Sequence, residues 1–195
     1  MLKALVLAAL VVVVALPVSA GLREGLAAYK DGDYRAALHE FEPLAERGDA
    51  AAQYHLGVMH AKGLGVRKNN YKAASWYNKA AKNGHAEAQY NLGQMYATDR
   101  GVPRNLGRAA HWFKKAAEQG LPKAQVALST MYAKGWGVQK NHVLSYMWSS
   151  IAAKHGQKHA AKSLESIKKH MTSGQIAKAQ EMAAKWRPTK AGPAK

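Results

Sequence analysis

Apolar and polar positions alternate at a helical spacing in paired segments, and the pairs recur. In residues 50–61 the apolar stripe Ala52, Leu56, Met59 and His60 falls at i, i+4, i+7 and i+8, which predicts one buried face on a helix. A loop follows at 62–68, where Gly63 can close the helix in a left-handed conformation and Gly65 turns the chain back. Asn69 then offers a side-chain oxygen to cap a second helix over about 70–82, on which Trp76 and Ala80 share a face. Displaced by 36 residues the whole pattern returns, so that 53–84, 89–120 and 125–156 are copies of one another. Leu56/Leu92/Leu128, Met59/Met95/Met131, Gly65/Gly101/Gly137, Asn69/Asn105/Asn141 and Trp76/Trp112/Trp148 stand in register. Self-similarity at this period specifies a stacked array of helix pairs, an architecture used more for binding than for catalysis.

The ends depart from the period in informative ways. Residues 21–48 align with the second half of a repeat and read as a shorter helical hairpin, with Asp33 as N-cap of its second helix. In the third copy Thr98-Asp99-Arg100 replaces the loop glycine, so Asp99 is expected to take up the glycine's left-handed conformation. The fourth copy drifts, with Ser129 for Gly57 and Gly93, and Ser145 for Ala73 and Ala109. Beyond Gly156 only Ala160, Leu164 and Ile167 keep the first-helix stripe, and a last helix to about 186 opens on Thr172 and Gln175, spaced as a capping box. The expected organisation is all-α: repeats at about 21–48, 49–84, 85–120 and 121–156, capping helices over 157–186, and a disordered basic tail at 187–195. Residues 1–20 read as an export signal, with Lys3 before an apolar run at 4–16 and a cut expected after Ala20. About 13 apolar residues are too few to span a bilayer, so a mature chain without an integral membrane span, in the periplasm or secreted, is expected.

Charge changes the view of partners. Residues 21–49 carry seven acids against four bases, whereas 50–195 carry 24 Lys and Arg against five acids. A field of that sign favours an anionic polymer or lipid surface, or an acidic protein face. The sequence contains no cysteine, which removes disulfides, thiolate metal sites and thiol nucleophiles.

Nine histidines invite a metal or acid–base reading, but the spacings do not support one. His55 and His60 lie about 140° apart around a helix, and a helix boundary separates His155 from His159. No metalloprotease motif, phosphate loop or paired carboxylate beside a histidine occurs, so no catalytic residue, metal ligand or cofactor is assigned. The repeated tryptophans sit at a core position, which argues against a base-stacking platform and, together with export, against nucleic acid. Contact residues are sought instead where the copies differ, because shared positions serve packing that every repeat needs. Candidates on the first helix of each pair are Tyr54, His55, Val58 and Lys62; then Tyr90, Asn91, Gln94 and Thr98; then Thr130 and Lys134; and Trp136 in a loop joins them.

The run Leu-Gly-x-Met, Gly-Val, Asn, and Trp-(Tyr/Phe)-x-Lys-Ala-Ala-x-x-Gly over about 50–156 resembles the Sel1-like repeat, a relative of the tetratricopeptide repeat. The resemblance implies an α-solenoid of antiparallel helix pairs wound as a right-handed superhelix, whose first helices line a concave surface that holds a protein or peptide partner. It also implies a non-enzymatic scaffold. Some exported relatives are linked to cell-wall-like compounds, a hydrolase or accessory role that the absence of cysteine sets apart from this chain. Asn69, Asn105 and Asn141 stand where the family often has Asp, an exchange that keeps the cap and adds to the basicity.

Overall fold

A computed structural model describes residues 18–189, which form ten helices and no strand. These are α1 (Val18–Asp31), α2 (Tyr34–Glu46), α3 (Ala50–Lys62), α4 (Asn70–Lys82), α5 (Ala86–Thr98), α6 (Leu106–Glu118), α7 (Pro122–Lys134), α8 (His142–Lys154), α9 (Lys158–Lys168) and α10 (Ser173–Lys185). From α1 to α9 each helix packs on the one before it, so α1/α2, α3/α4, α5/α6 and α7/α8 are hairpins stacked in chain order, and α9 and α10 both close on α8. The apolar run at 4–16 lies outside the described residues, and the cut expected after Ala20 falls in the first turn of α1.

Local chemistry sets the ends of the helices. Asn69, Asn105 and Asn141 each accept the third backbone N–H of the helix they precede, at 2.9–3.0 Å. Asp33 and Asp49 do the same for α2 and α3. Asp99 takes the left-handed conformation expected of it, at φ 57°, and its carboxylate accepts the Arg104 amide at 3.0 Å, which steadies the tight loop. Thr172 and Gln175 form the complete capping box of α10.

Two devices hold the hairpins. Within each of the first three, a glycine on the first helix lies flat against an aromatic ring on the second: Gly25 on Phe41, Gly57 on Tyr77, Gly93 on Phe113. A Cβ at Gly57 would stand 2.5 Å from the Tyr77 ring, so the glycine is what lets the two helices close over it. Between hairpins the lock is polar. Gln53, Gln89 and Gln125 are buried, and each donates to a carbonyl at the end of the preceding second helix, Ala45, Ala81 or Ala117, at 2.9–3.3 Å. Each also accepts from the residue that closes its own hairpin: Asn83 at 3.0 Å, Gln119 at 2.8 Å and the His155 ring at 3.4 Å. Replacing Gln89 with leucine keeps the volume, removes a donor from the Ala81 carbonyl, which retains the Gly84 amide, and leaves the half-buried Gln119 amide without its acceptor. The expected loss is about 1–3 kcal/mol in urea denaturation.

The tryptophan column is not uniformly core. Trp76 and Trp112 are only half-buried, because among the described residues no further layer lies over the outer face of α4 and α6, and the Lys79 ammonium covers the Trp76 ring at 4.1 Å. Trp148 is fully buried because α10 lies over α8 and brings Trp186 edge-on to it at 5.9 Å. The chain expected to be a disordered tail from Arg187 begins ordered: Thr189 donates both its amide and its hydroxyl to the Glu118 carbonyl, filling an open acceptor at the end of α6. Residues 190–195 lie outside the description.

Candidate functional site

The first helices α3, α5 and α7 repeat a three-residue stripe at i, i+4 and i+8: Tyr54-Val58-Lys62, Tyr90-Gln94-Thr98 and Val126-Thr130-Lys134. Its rungs on α5 and α7 are more exposed than the one on α3, where Val58 is buried. Gln94 donates to the Tyr90 hydroxyl at 2.8 Å, and Thr98 donates to the Gln94 carbonyl at 2.8 Å, giving a hydrogen-bonded ladder down α5. The Lys123 ammonium sits 4.6 Å over the Tyr90 ring, so the aromatic face is cationic on one side. Half-burial pushes the Tyr90 hydroxyl above its ordinary pKa, with Gln94 working against that shift, so the group stays protonated and can donate or accept. Lys62, Thr130 and Lys134 are exposed beside this ladder, and Asn91 is half-buried.

Two expected contact residues are placed elsewhere. Val58 is 8% exposed and belongs to the core around Tyr77, because α5 closes over that side of α3. The His55 ring lies between elements, stacked on Phe41 at 5.0 Å and edge-on to Tyr29 and Tyr54, with a buried Nδ1 that has no partner. Tyr54 stacks on His85 at the start of α5, 4.4 Å between centroids, so it both packs between repeats and keeps one edge accessible. Trp136 is 50% exposed in the α7–α8 loop.

Burial holds His55, His60 and His85 below their ordinary pKa of 6.5. Below that value the unfolded chain therefore binds protons that the folded chain does not, and stability falls as the pH drops. Melting followed by circular dichroism should show a lower midpoint at about pH 5 than at about pH 7.5. His55→Phe, which keeps an aromatic ring on Phe41 and removes one of the three titrating rings, should reduce that difference in part.

A second surface was not legible from the repeats taken singly. Where the α5–α6 loop seats against the start of α4, an open cleft of about 830 Å³ is lined by Arg67, Lys68, Lys72 and Arg100, with the half-buried His60 ring and Tyr71 at its walls. Tyr71 is 77% exposed. The one acid there, Asp99, already accepts from Arg104, and no cation of the cleft forms an ion pair among the described residues. Among the same residues no cluster of three metal-ligating side chains occurs, and no helix is long and apolar enough to cross a membrane.

Stacked antiparallel helix pairs with a shared core and copy-specific faces define a helical-repeat solenoid. The Sel1 repeat model matches residues 50–85, 86–121 and 122–157, so the chain belongs to the Sel1 repeat family. A Sel1 repeat protein from Oxalobacter formigenes has a crystal structure that superposes with a TM-score of 0.69 at 37% identity, over 72% of this chain and 58% of that one. A protective antigen of uropathogenic Escherichia coli strains with the SLR fold gives a TM-score of 0.60 at 27% identity, over 87% of this chain and 45% of that one. Among curated proteins, DAP3-binding cell death enhancer 1 of Rattus norvegicus is 39% identical over 49 residues, a match of 25% of this chain and 10% of that protein. The chain thus spans about half the length of these solved structures, and a small part of the curated relative.

Proposed function

We propose that this chain is an exported, non-catalytic scaffold that binds a protein or peptide segment along the face formed by its first helices. The observation that carries the reading is the Tyr90-Gln94-Thr98 ladder. Gln94 and Thr98 are exposed and tied into the ladder by hydrogen bonds, and they differ from Val58 and Thr130, and from Lys62 and Lys134, at the same positions of the neighbouring copies, whereas Tyr90 recurs as Tyr54 and the buried Leu, Gln and Met positions agree. Packing demands sameness from repeat to repeat, and a ligand lying across several repeats meets each one once. Tyrosine with lysine above it, flanked by amide and hydroxyl groups, suits an extended segment that offers backbone polar groups and acidic side chains. Export rests on the apolar run at 4–16 and the small residues before Ala20. A photo-crosslinker in place of Gln94, used in the native compartment of cells producing the full chain, should capture a small, reproducible set of proteins. The same group in place of Lys115, exposed on α6, should not; identical captures from the two positions would count against the proposal.

The cationic cleft beside α4 favours a second reading, the binding of an anionic envelope polymer or membrane lipid. Four unpaired cations around one open cleft attract a polyanion through a field that salt screens, so such binding should weaken steeply between low and physiological ionic strength. Binding of anionic vesicles or polymer that does not respond to salt would sink it.

A further inference from the structure

The loop that joins the two helices of a hairpin seats on the hairpin before it, and these seats line up. The loop at Gly65 meets Tyr34 at the start of α2, the loop at Gly101 meets Asn70 at the start of α4, and the loop at Gly137 meets Leu106 and Gly107 at the start of α6. The turn from α9 to α10 does the same: its His170 ring stacks on His142 at the start of α8, 5.2 Å between centroids. Four loops in succession therefore build one continuous edge of the solenoid, and the cleft lined by Arg67 and Arg100 is part of it.

Cations and exposed rings gather on this edge. Arg67 and Lys68 stand in the first of the four loops, Arg100 and Arg104 in the second, Lys140 in the third and Lys169 in the fourth. All six are exposed, and none forms an ion pair among the described residues. The caps Asn69, Asn105 and Asn141 are uncharged, so the one acid in these loops is Asp99. The α1–α2 turn, with Asp31 and Asp33, is where the cationic stretch stops. Three large apolar side chains are exposed among the described residues, and two of them are here: Tyr71 in the first turn of α4 and Trp136 in the α7–α8 loop, at the place Arg100 has one repeat earlier.

A ring with a polar tip suits the layer between lipid headgroups and acyl chains, where its apolar body leaves water and its hydroxyl or indole N–H keeps a partner. Cations beside such rings are drawn to an anionic leaflet by a field that decays within a Debye length. A polyanion in solution would engage the cations and leave both rings in water. A small anion would need the charges in one pocket, whereas here they are spread over four loops.

We infer that this edge docks on the surface of an anionic lipid bilayer, with Tyr71 and Trp136 at headgroup depth and the loop cations on lipid phosphates. Docking of this kind rests on the second reading above, the binding of an anionic polymer or lipid, and narrows it to a bilayer.

The test uses the full chain with vesicles of phosphatidylcholine alone, of phosphatidylcholine with phosphatidylglycerol, and of that mixture with brominated acyl chains; dextran sulfate serves as a soluble polyanion. Phosphatidylcholine alone measures whatever the apolar run at 4–16 contributes. Phosphatidylglycerol should strengthen binding at least about tenfold at low salt, and Arg100→Gln or Lys140→Gln should each weaken it about fivefold. Lys115→Gln, which removes an exposed cation at the far end of α6, should change it by about twofold at most. Brominated chains should quench the part of the emission that Trp136→Phe removes, and Tyr71→Ala with Trp136→Ala should weaken binding several-fold. All these substitutions fall at exposed positions, which keeps the core intact. No gain from phosphatidylglycerol, equal losses from K140Q and K115Q, or quenching unaltered by W136F would overturn the docking. Salt-sensitive binding of dextran sulfate without added attraction to phosphatidylglycerol would keep the second reading and overturn the bilayer. Binding of neither would overturn both.

Discussion

Alanine in place of Gly137 should destabilise the protein by about 3 kcal/mol or more, among the largest effects of any single methyl in this chain. Two costs coincide there. The backbone is left-handed at φ 68°, which costs a residue with a Cβ about 1–2 kcal/mol. The added carbon would also fall inside van der Waals contact with the carbonyl of Leu106 and the amide of Gly107, backbone atoms at the start of α6 that cannot swing away. Gly137 is the point where the loop of one hairpin seats on the hairpin before it, and Gly101 meets the Asn70 backbone in the same way. Gly156→Ala separates the two costs: its φ is 81° but nothing lies within 4 Å of the new carbon, so only the conformational part, about 1–2 kcal/mol, should appear. Urea denaturation of the two variants would measure the difference. Because each hairpin touches only its neighbours, G137A should also split the transition, α7–α10 unfolding before α1–α6.

Truncating Phe113 to alanine should cost about 3–5 kcal/mol, the range for deleting a buried ring from a packed core. The ring is 5% exposed and lies flat on Gly93, a residue with no side chain to move into the void. The neighbouring Trp112 is larger, but it is half-buried with one face toward solvent, so W112A should be the milder change. Thermal melts of both variants, read by circular dichroism, decide the order. A larger loss for W112A would mean that the outer tryptophans, and not the glycine–ring locks, hold the hairpins.

That order reverses the expectation from periodicity alone, and the reversal has a physical cause. Trp76, Trp112 and Trp148 recur strictly, and strict recurrence of a large apolar residue reads as core. The helical period assigns a residue to a face of its own helix but does not say whether a further layer covers that face. Over α8 it does, because α10 lies there; over α4 and α6 no described residue forms a further layer, and the burial passes to the adjacent Tyr77 and Phe113. Val58 and His55 were misplaced for the mirror-image reason. They vary between copies, which reads as surface, but the stacking of α5 on α3 and the Phe41 ring enclose them. Ser149 carried a usable signal: the column Phe41, Tyr77, Phe113, Ser149 changes chemistry at the same copy in which Gly57 and Gly93 give way to Ser129. Reading the two columns as one contact would have found the hydrogen bond between Ser129 and Ser149 that takes the place of the ring.

Whatever depends on a residue and its near neighbours in the chain was therefore determined by the sequence itself. The Asn caps, the left-handed Asp99, the capping box at Thr172, the helix pairs and their register all follow from interactions within a turn or two, repeated often enough to be unmistakable. The tertiary structure decided what depends on the distance between helices: which ring each glycine meets, which faces stay uncovered, how cations from two loops gather around one cleft, and where serine hydroxyls bond in place of a missing ring. Those are properties of pairs of residues about 16 to 36 positions apart, and spacing along one helix cannot express the depth at which two helices close on each other.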